Sequence, residues 1–149
     1  MSSAPQASSQ TPSPIPGFCQ GIQHFGQPWP GFAEHAAQTA IASGDKAIRS
    51  AADASAAYQT LLMADALRYL TLQVTGAKAS GHPGGFASSA DAYAALVMLG
   101  HTNIVTEVGH HAPGYYSAMF LDTSLESMGI HSVQQMRERA RIQEPVLNP

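Results

Sequence analysis

Apolar residues recur every four positions through Tyr58, Leu62, Ala66, Leu70 and Val74. Leu61, Leu67 and Tyr69 widen the stripe, while Asp65, Arg68 and Gln73 lie off it. That period predicts an amphipathic helix from about Ala47, ending between Gly76 and Gly81, where glycine and serine replace the periodic residues. Ser88 with Asp91 reads as a capping box for a second helix through Ala90 to Leu99. It is apolar nearly all round, hence buried, and Gly100 lies past its end. Ile104, Val105 and Val108 form a β-branched run that fits a short buried strand. Proline is tolerated in a first helical turn, so a third helix can open at Pro113 and carry Tyr116, Met119, Phe120 and Leu121. Ser132 with Gln135 signals a fourth, running through Met136 to about Ile142 before Pro145 and Pro149. The pattern predicts a mostly α chain with one or a few short strands.

Residues 1–46 lack this order. Pro5, Pro12, Pro14, Pro16, Pro28 and Pro30 alternate with Gly17, Gly21, Gly26 and Gly31, which predicts an arm that is flexible or extended. Phe18, Phe25, Trp29 and Phe32 are spaced through it and can pin such an arm into a groove. Residues 47–149 are then the folded portion.

Composition narrows the setting. At 149 residues the chain has the length of one ordinary domain. Charged residues are only 11% of it, so either uncharged polar groups keep its surface wet or a partner covers part of that surface. The net charge of -3 without a Lys/Arg cluster argues against a nucleic-acid footprint or a polybasic membrane patch. A lone Cys19 cannot form an internal disulfide, which points to a reducing compartment. The N-terminal segment has neither the basic start nor the apolar stretch of a signal peptide. The longest apolar run, Ala92 to Leu99, is far short of the roughly 20 residues of a bilayer span. A cytoplasmic protein is the expectation.

Two turns carry the candidate chemistry: Ser80-Gly81-His82-Pro83-Gly84-Gly85 and Gly109-His110-His111-Ala112-Pro113-Gly114. Each leads into a helix start, where unpaired N–H groups and the positive end of the helix dipole favour phosphate oxygens. The glycines let backbone approach a ligand closely, and an imidazole adds a donor that changes charge near neutral pH. The two histidines are 28 residues apart, across a helix and the expected strand, so both mouths can converge on one diphosphate. Gly-His-Pro-Gly is equally the composition of a plain tight turn. His111 is read as the structural neighbour of His110, and His24, His35, His101 and His131 receive no role.

Ala64-Asp65-Ala66-Leu67-Arg68-Tyr69 followed by Lys78-Ala79-Ser80-Gly81-His82-Pro83-Gly84 resembles the opening of the transketolase family, with Gly109-His110 at the second Gly-His turn. His82 to Ser89 and His110 to Leu121 are similar to the related homodimeric pyruvate dehydrogenases. The likeness covers about Tyr58 to Arg139. It implies the N-terminal part of an α/β thiamine diphosphate-binding fold, truncated or split from the rest of a dimeric enzyme. The implied activity makes or breaks a carbon–carbon bond next to a carbonyl, by ketol transfer or 2-oxo acid decarboxylation. It also implies that His82, His110 and Gly109 bind the cofactor, and that His82 additionally serves catalysis by moving protons at the reacting carbon. Mg2+ accompanies the cofactor in that family, held by a Gly-Asp-Gly motif and a downstream Asn. Here the one Gly-Asp is Gly44-Asp45, followed by Lys46 and placed upstream of both turns. No metal ligands are therefore assigned in this chain, and catalysis by the chain alone is not expected. The expected partner is the remainder of the enzyme or a homologous subunit.

Two other readings stand beside this one. The chain can be a non-catalytic subunit that lends its helices to a larger relative, with the aromatic arm as the contact. Alternatively, Glu107-Val108-Gly109-His110 has the Glu-x-x-His spacing of carboxylate-bridged metal sites on helices, although Gly109 and Pro113 disfavour a continuous helix there.

Overall fold

The computed structural model describes residues 30–79, 81–101, 104–105 and 109–142. The described residues form five α-helices: α1 (Phe32–Ala42), α2 (Ala51–Lys78), α3 (Pro83–Met98), α4 (Ala112–Leu121) and α5 (Val133–Arg141). Short 3-10 turns at Gly109–His111 and Ser124–Met128 precede and follow α4. The described residues are mostly helical and contain no strand. None of their helices is long and apolar enough to cross a membrane.

The central helix is α2, against which α1, α3, α4 and α5 all pack. Its start is set locally. The Ser50 hydroxyl accepts the Asp53 N–H at 3.1 Å, and the Asp53 carboxylate accepts the Arg49 N–H at 2.9 Å. Hydrogen bonding to its carboxylate, from the Arg49 backbone first and the Ser50 side chain second, holds the Asp53 carboxyl below its ordinary value. At the other end Ala79 takes a left-handed conformation, φ 52°, to close the last turn.

The every-four stripe explains how one helix serves four neighbours. A step of four residues overshoots a full turn by about 40°, so the stripe winds around the helix instead of staying on one side. Near its start, Tyr58 meets the Phe32 ring of α1 at 5.0 Å between centroids. Farther along, Ala66, Leu67, Leu70 and Val74, joined by Met63 and Ala64, enter the main core. Leu61 (59% exposed) and Tyr69 (46%), expected to widen the stripe, lie on the solvent side. The core is completed by Phe86, Ala90, Ala94 and Val97 of α3, Ala118 and Leu121 of α4, Leu125, Ile130, and Met136 and Ala140 of α5. Each large side chain buried there contributes about 1.5–3 kcal/mol of transfer free energy.

Several expectations are corrected. Residues 32–42, placed in an arm read as flexible, extended or pinned by its aromatics, form the helix α1, whose Phe32 packs on Tyr58; Cys19 and the other residues of 1–29 lie outside the described residues. Helix α3 opens at Pro83, not near Ser88. The Ser88 hydroxyl donates to the Gly85 carbonyl inside the helix at 2.9 Å, and Asp91 faces Arg68. Nor is α3 buried all round, because Leu96 is 39% and Leu99 51% exposed. Ile104 and Val105 form no strand. Ile104 packs at the edge of the core, Val105 is 90% exposed, and Val108 lies outside the described residues. The α4 and α5 assignments match the observed helices to within a residue. The Ser132 hydroxyl accepts the Gln135 N–H at 3.2 Å, and the Gln135 side-chain carbonyl accepts the His131 N–H at 2.8 Å.

Candidate functional site

Both Gly-His turns lie at helix starts, and the fold brings them together. In the first, Gly81 adopts φ +110°, and a Cβ there would press to 3.2 Å on the Thr75 methyl of α2. Backbone sign and space thus both select glycine at this position. His82, exposed, is the residue that precedes α3, and Pro83 occupies the first turn. In the second, Gly109–His111 forms a 3-10 turn that runs directly into α4, with His110 exposed and His111 half-buried. Among the described residues no side chain caps α3 or α4, in contrast to the serine caps of α2 and α5.

The His82 and His110 rings stand 6.4 Å apart between centroids, nearly perpendicular at 82°. Two glycines make this approach possible. A Cβ on Gly85 would overlap Cδ2 of His110 and lie 2.9 Å from its Nε2. A Cβ on Gly114 would overlap Cδ2 and Cε2 of Phe86. Each helix start therefore accepts a ring from the other: His110 rests on α3, and Phe86 rests on α4. Gly85 and Gly114, expected to let backbone approach a ligand closely, give room here to neighbouring side chains. His111 packs its ring edge-to-face on Phe86 at 6.0 Å, in keeping with its structural reading.

Arg68 fixes the first turns of α3 to α2. Its Nε–H donates to the Ala87 carbonyl at 3.1 Å, one terminal nitrogen donates to Asp65 at 3.0 Å, and the other to Asp91. Hydrogen bonding to Asp91 above all keeps its guanidinium firmly protonated. On the buried side, the Ser117 hydroxyl donates to the Pro113 carbonyl at 2.7 Å and meets the Thr71 hydroxyl at 3.3 Å. Since Ser117 has a single hydroxyl proton, Thr71 is the donor between them. This polar tie sits in the core and anchors α4 to α2 beneath the second turn.

Tyr93 was not singled out from the sequence. Its ring meets Phe86 at 5.6 Å and Tyr115 at 5.7 Å. Burial first, then the neighbouring Tyr115 and Asp122, push its hydroxyl up to about 12. Tyr115 donates its hydroxyl proton to the Ile104 carbonyl. These two rings line a cavity of about 130 Å³, and a separate groove of about 600 Å³ runs between α2 and α5 past Tyr69, Gln73 and Arg137. Neither is lined by His82 or His110.

The two-histidine mouth fits an anion: exposed imidazoles beside two uncapped helix starts present donors in one place. Among the described residues no group of three or more His, Cys, Asp or Glu side chains is placed to hold a metal ion. Glu107 of the alternative metal motif lies outside the described residues, and His110 belongs to the 3-10 turn. No protein-family model, curated protein or solved structure matches this chain.

Proposed function

We propose that the chain provides a two-histidine diphosphate seat of a transketolase-like, thiamine diphosphate-dependent enzyme. The 6.4 Å approach of His82 and His110 at two helix starts carries this reading. His82, His110 and the Gly109 backbone would hold the diphosphate oxygens, with charge-assisted hydrogen bonds from the imidazoles and backbone N–H groups. When bound, the cofactor supplies cleavage or formation of a carbon–carbon bond adjacent to a carbonyl. The residues of this chain orient the anion and, through His82, exchange a proton at the reacting end. Metal ligands would come from outside the described residues, and activity of this chain on its own is not part of the proposal.

Calorimetric titration with thiamine diphosphate and Mg2+ tests the seat. His110→Ala, with folding checked by circular dichroism, should weaken binding by about tenfold or more, the loss expected for one hydrogen bond to a charged group. Inorganic pyrophosphate should compete with the cofactor. Affinity unchanged by both His82→Ala and His110→Ala would end this reading.

The non-catalytic subunit reading draws on a different observation. Leu61, Leu72 and Leu99 are each more than half exposed, which suits a surface covered by another chain. Sedimentation alone and with a full-length thiamine diphosphate enzyme would show whether such a complex forms; a monomer under both conditions would count against it.

A further inference from the structure

The small cavity between α3 and α4 lies outside the histidine mouth and has a different chemistry. Tyr93 and Tyr115 both line it, packed edge-to-face at 5.7 Å and 84°. Val97 and Met119 add apolar lining, Asp122 supplies a carboxylate, and exposed His101 stands at its rim. One Asp122 oxygen accepts the Ser124 N–H at 2.8 Å, and its carboxylate has no cationic partner among the described residues. An aromatic face beside a carboxylate without an ion-pair partner attracts a soft cation through the ring quadrupole and Coulomb attraction together. The volume of about 130 Å³ equals roughly four waters at about 30 Å³ each, the room needed by an ammonium headgroup of four or five heavy atoms. A bare metal ion would leave most of that space unfilled and find one carboxylate.

We infer that this cavity is a binding site for a small organic cation of the methylated-ammonium class, held by Tyr93, Tyr115 and Asp122. Burial first, and the neighbouring Tyr115 and Asp122 after it, favour the neutral phenol of Tyr93 over its anion. This inference is independent of the diphosphate seat, since none of its residues belongs to either Gly-His turn.

The test is titration of the full chain with tetramethylammonium chloride at constant ionic strength, read from the tyrosine ring resonances. Uncharged tert-butanol, of nearly the same shape, is the control. Tetramethylammonium should shift the Tyr93 and Tyr115 signals saturably, and tert-butanol should shift them far less. Asp122→Asn keeps the acceptor for the Ser124 N–H but removes the charge, and should weaken binding by about threefold, in line with the loss of one partly exposed ion pair. His101→Lys, a substitution at an exposed rim position, places a positive charge at the mouth and should also weaken it. No saturable shift, equal response to the neutral analogue, or affinity indifferent to both substitutions would overturn the inference.

Discussion

The imidazole of His110 rests on the bare α-carbon of Gly85, so that a methyl group at residue 85 would occupy the space of the ring's Cδ2. That contact joins two turns far apart in sequence and sets His110 beside His82. Its counterpart, Phe86 on Gly114, is buried where the first is exposed.

This difference gives opposite expectations for two alanine substitutions. Gly85→Ala should cost little stability, because the exposed His110 ring can swing into solvent and alanine is the better helix former by about 1 kcal/mol. The nuclear Overhauser contacts between His110 and both His82 and residue 85 should vanish. Gly114→Ala should destabilise by about 1–3 kcal/mol in a denaturant melt, since the buried Phe86 ring has nowhere to move. Equal effects of the two would contradict the reciprocal seating.

Replacing Arg68 by Met keeps the aliphatic stem but removes three hydrogen bonds, to Ala87, Asp65 and Asp91. The carboxylates are exposed and screened, so the expected loss is about 1 kcal/mol, mostly from the Ala87 carbonyl. Hydrogen exchange should accelerate selectively in the first two turns of α3. Uniform acceleration throughout the chain would instead mean that Arg68 supports the fold as a whole.

Stability should decline at alkaline pH through Tyr93. Its folded-state value of about 12 exceeds the ordinary tyrosine value of 10.0, so the folded protein retains a proton that the unfolded chain releases. The contribution is full below pH 10 and is lost as pH rises from about 10 to about 12. Ultraviolet titration should show a tyrosine ionising at about 12 that is absent in Tyr93→Phe. The same variant should flatten the alkaline fall of the melting temperature.

Ala79 closes α2 with φ 52°, a left-handed conformation that strains a residue bearing a Cβ. Ala79→Gly should therefore raise stability by up to about 1 kcal/mol, read as a higher melting temperature. A decrease would show that the turn is not held in that conformation in solution.

Much of the helix inventory was legible because its signals are local. The Ser132 and Gln135 bonds that open α5 span one turn, and Pro113 marks the start of α4 by its fixed φ and missing N–H. Pro83 carries the same mark for α3, but Ser88 and Asp91 imitate a capping box beginning five residues later. The imitation fails because Asp91 has a stronger partner in Arg68, 23 residues away. Ile104 and Val105 have β-branched side chains but no neighbouring strand among the described residues, and a strand exists only when something pairs with it.

The sequence by itself determined that the two Gly-His segments would be turns opening helices, since glycine, proline and the apolar periods act within a few residues. Only the tertiary structure decided that His82 and His110 would share one mouth, that Gly85 and Gly114 would seat rings, and that Tyr93, Tyr115 and Asp122 would enclose a cavity. The reason is geometric: these groups meet because α2 draws α3 and α4 onto the same core, and contact between helix faces depends on packing angle and side-chain volume, which no local pattern encodes.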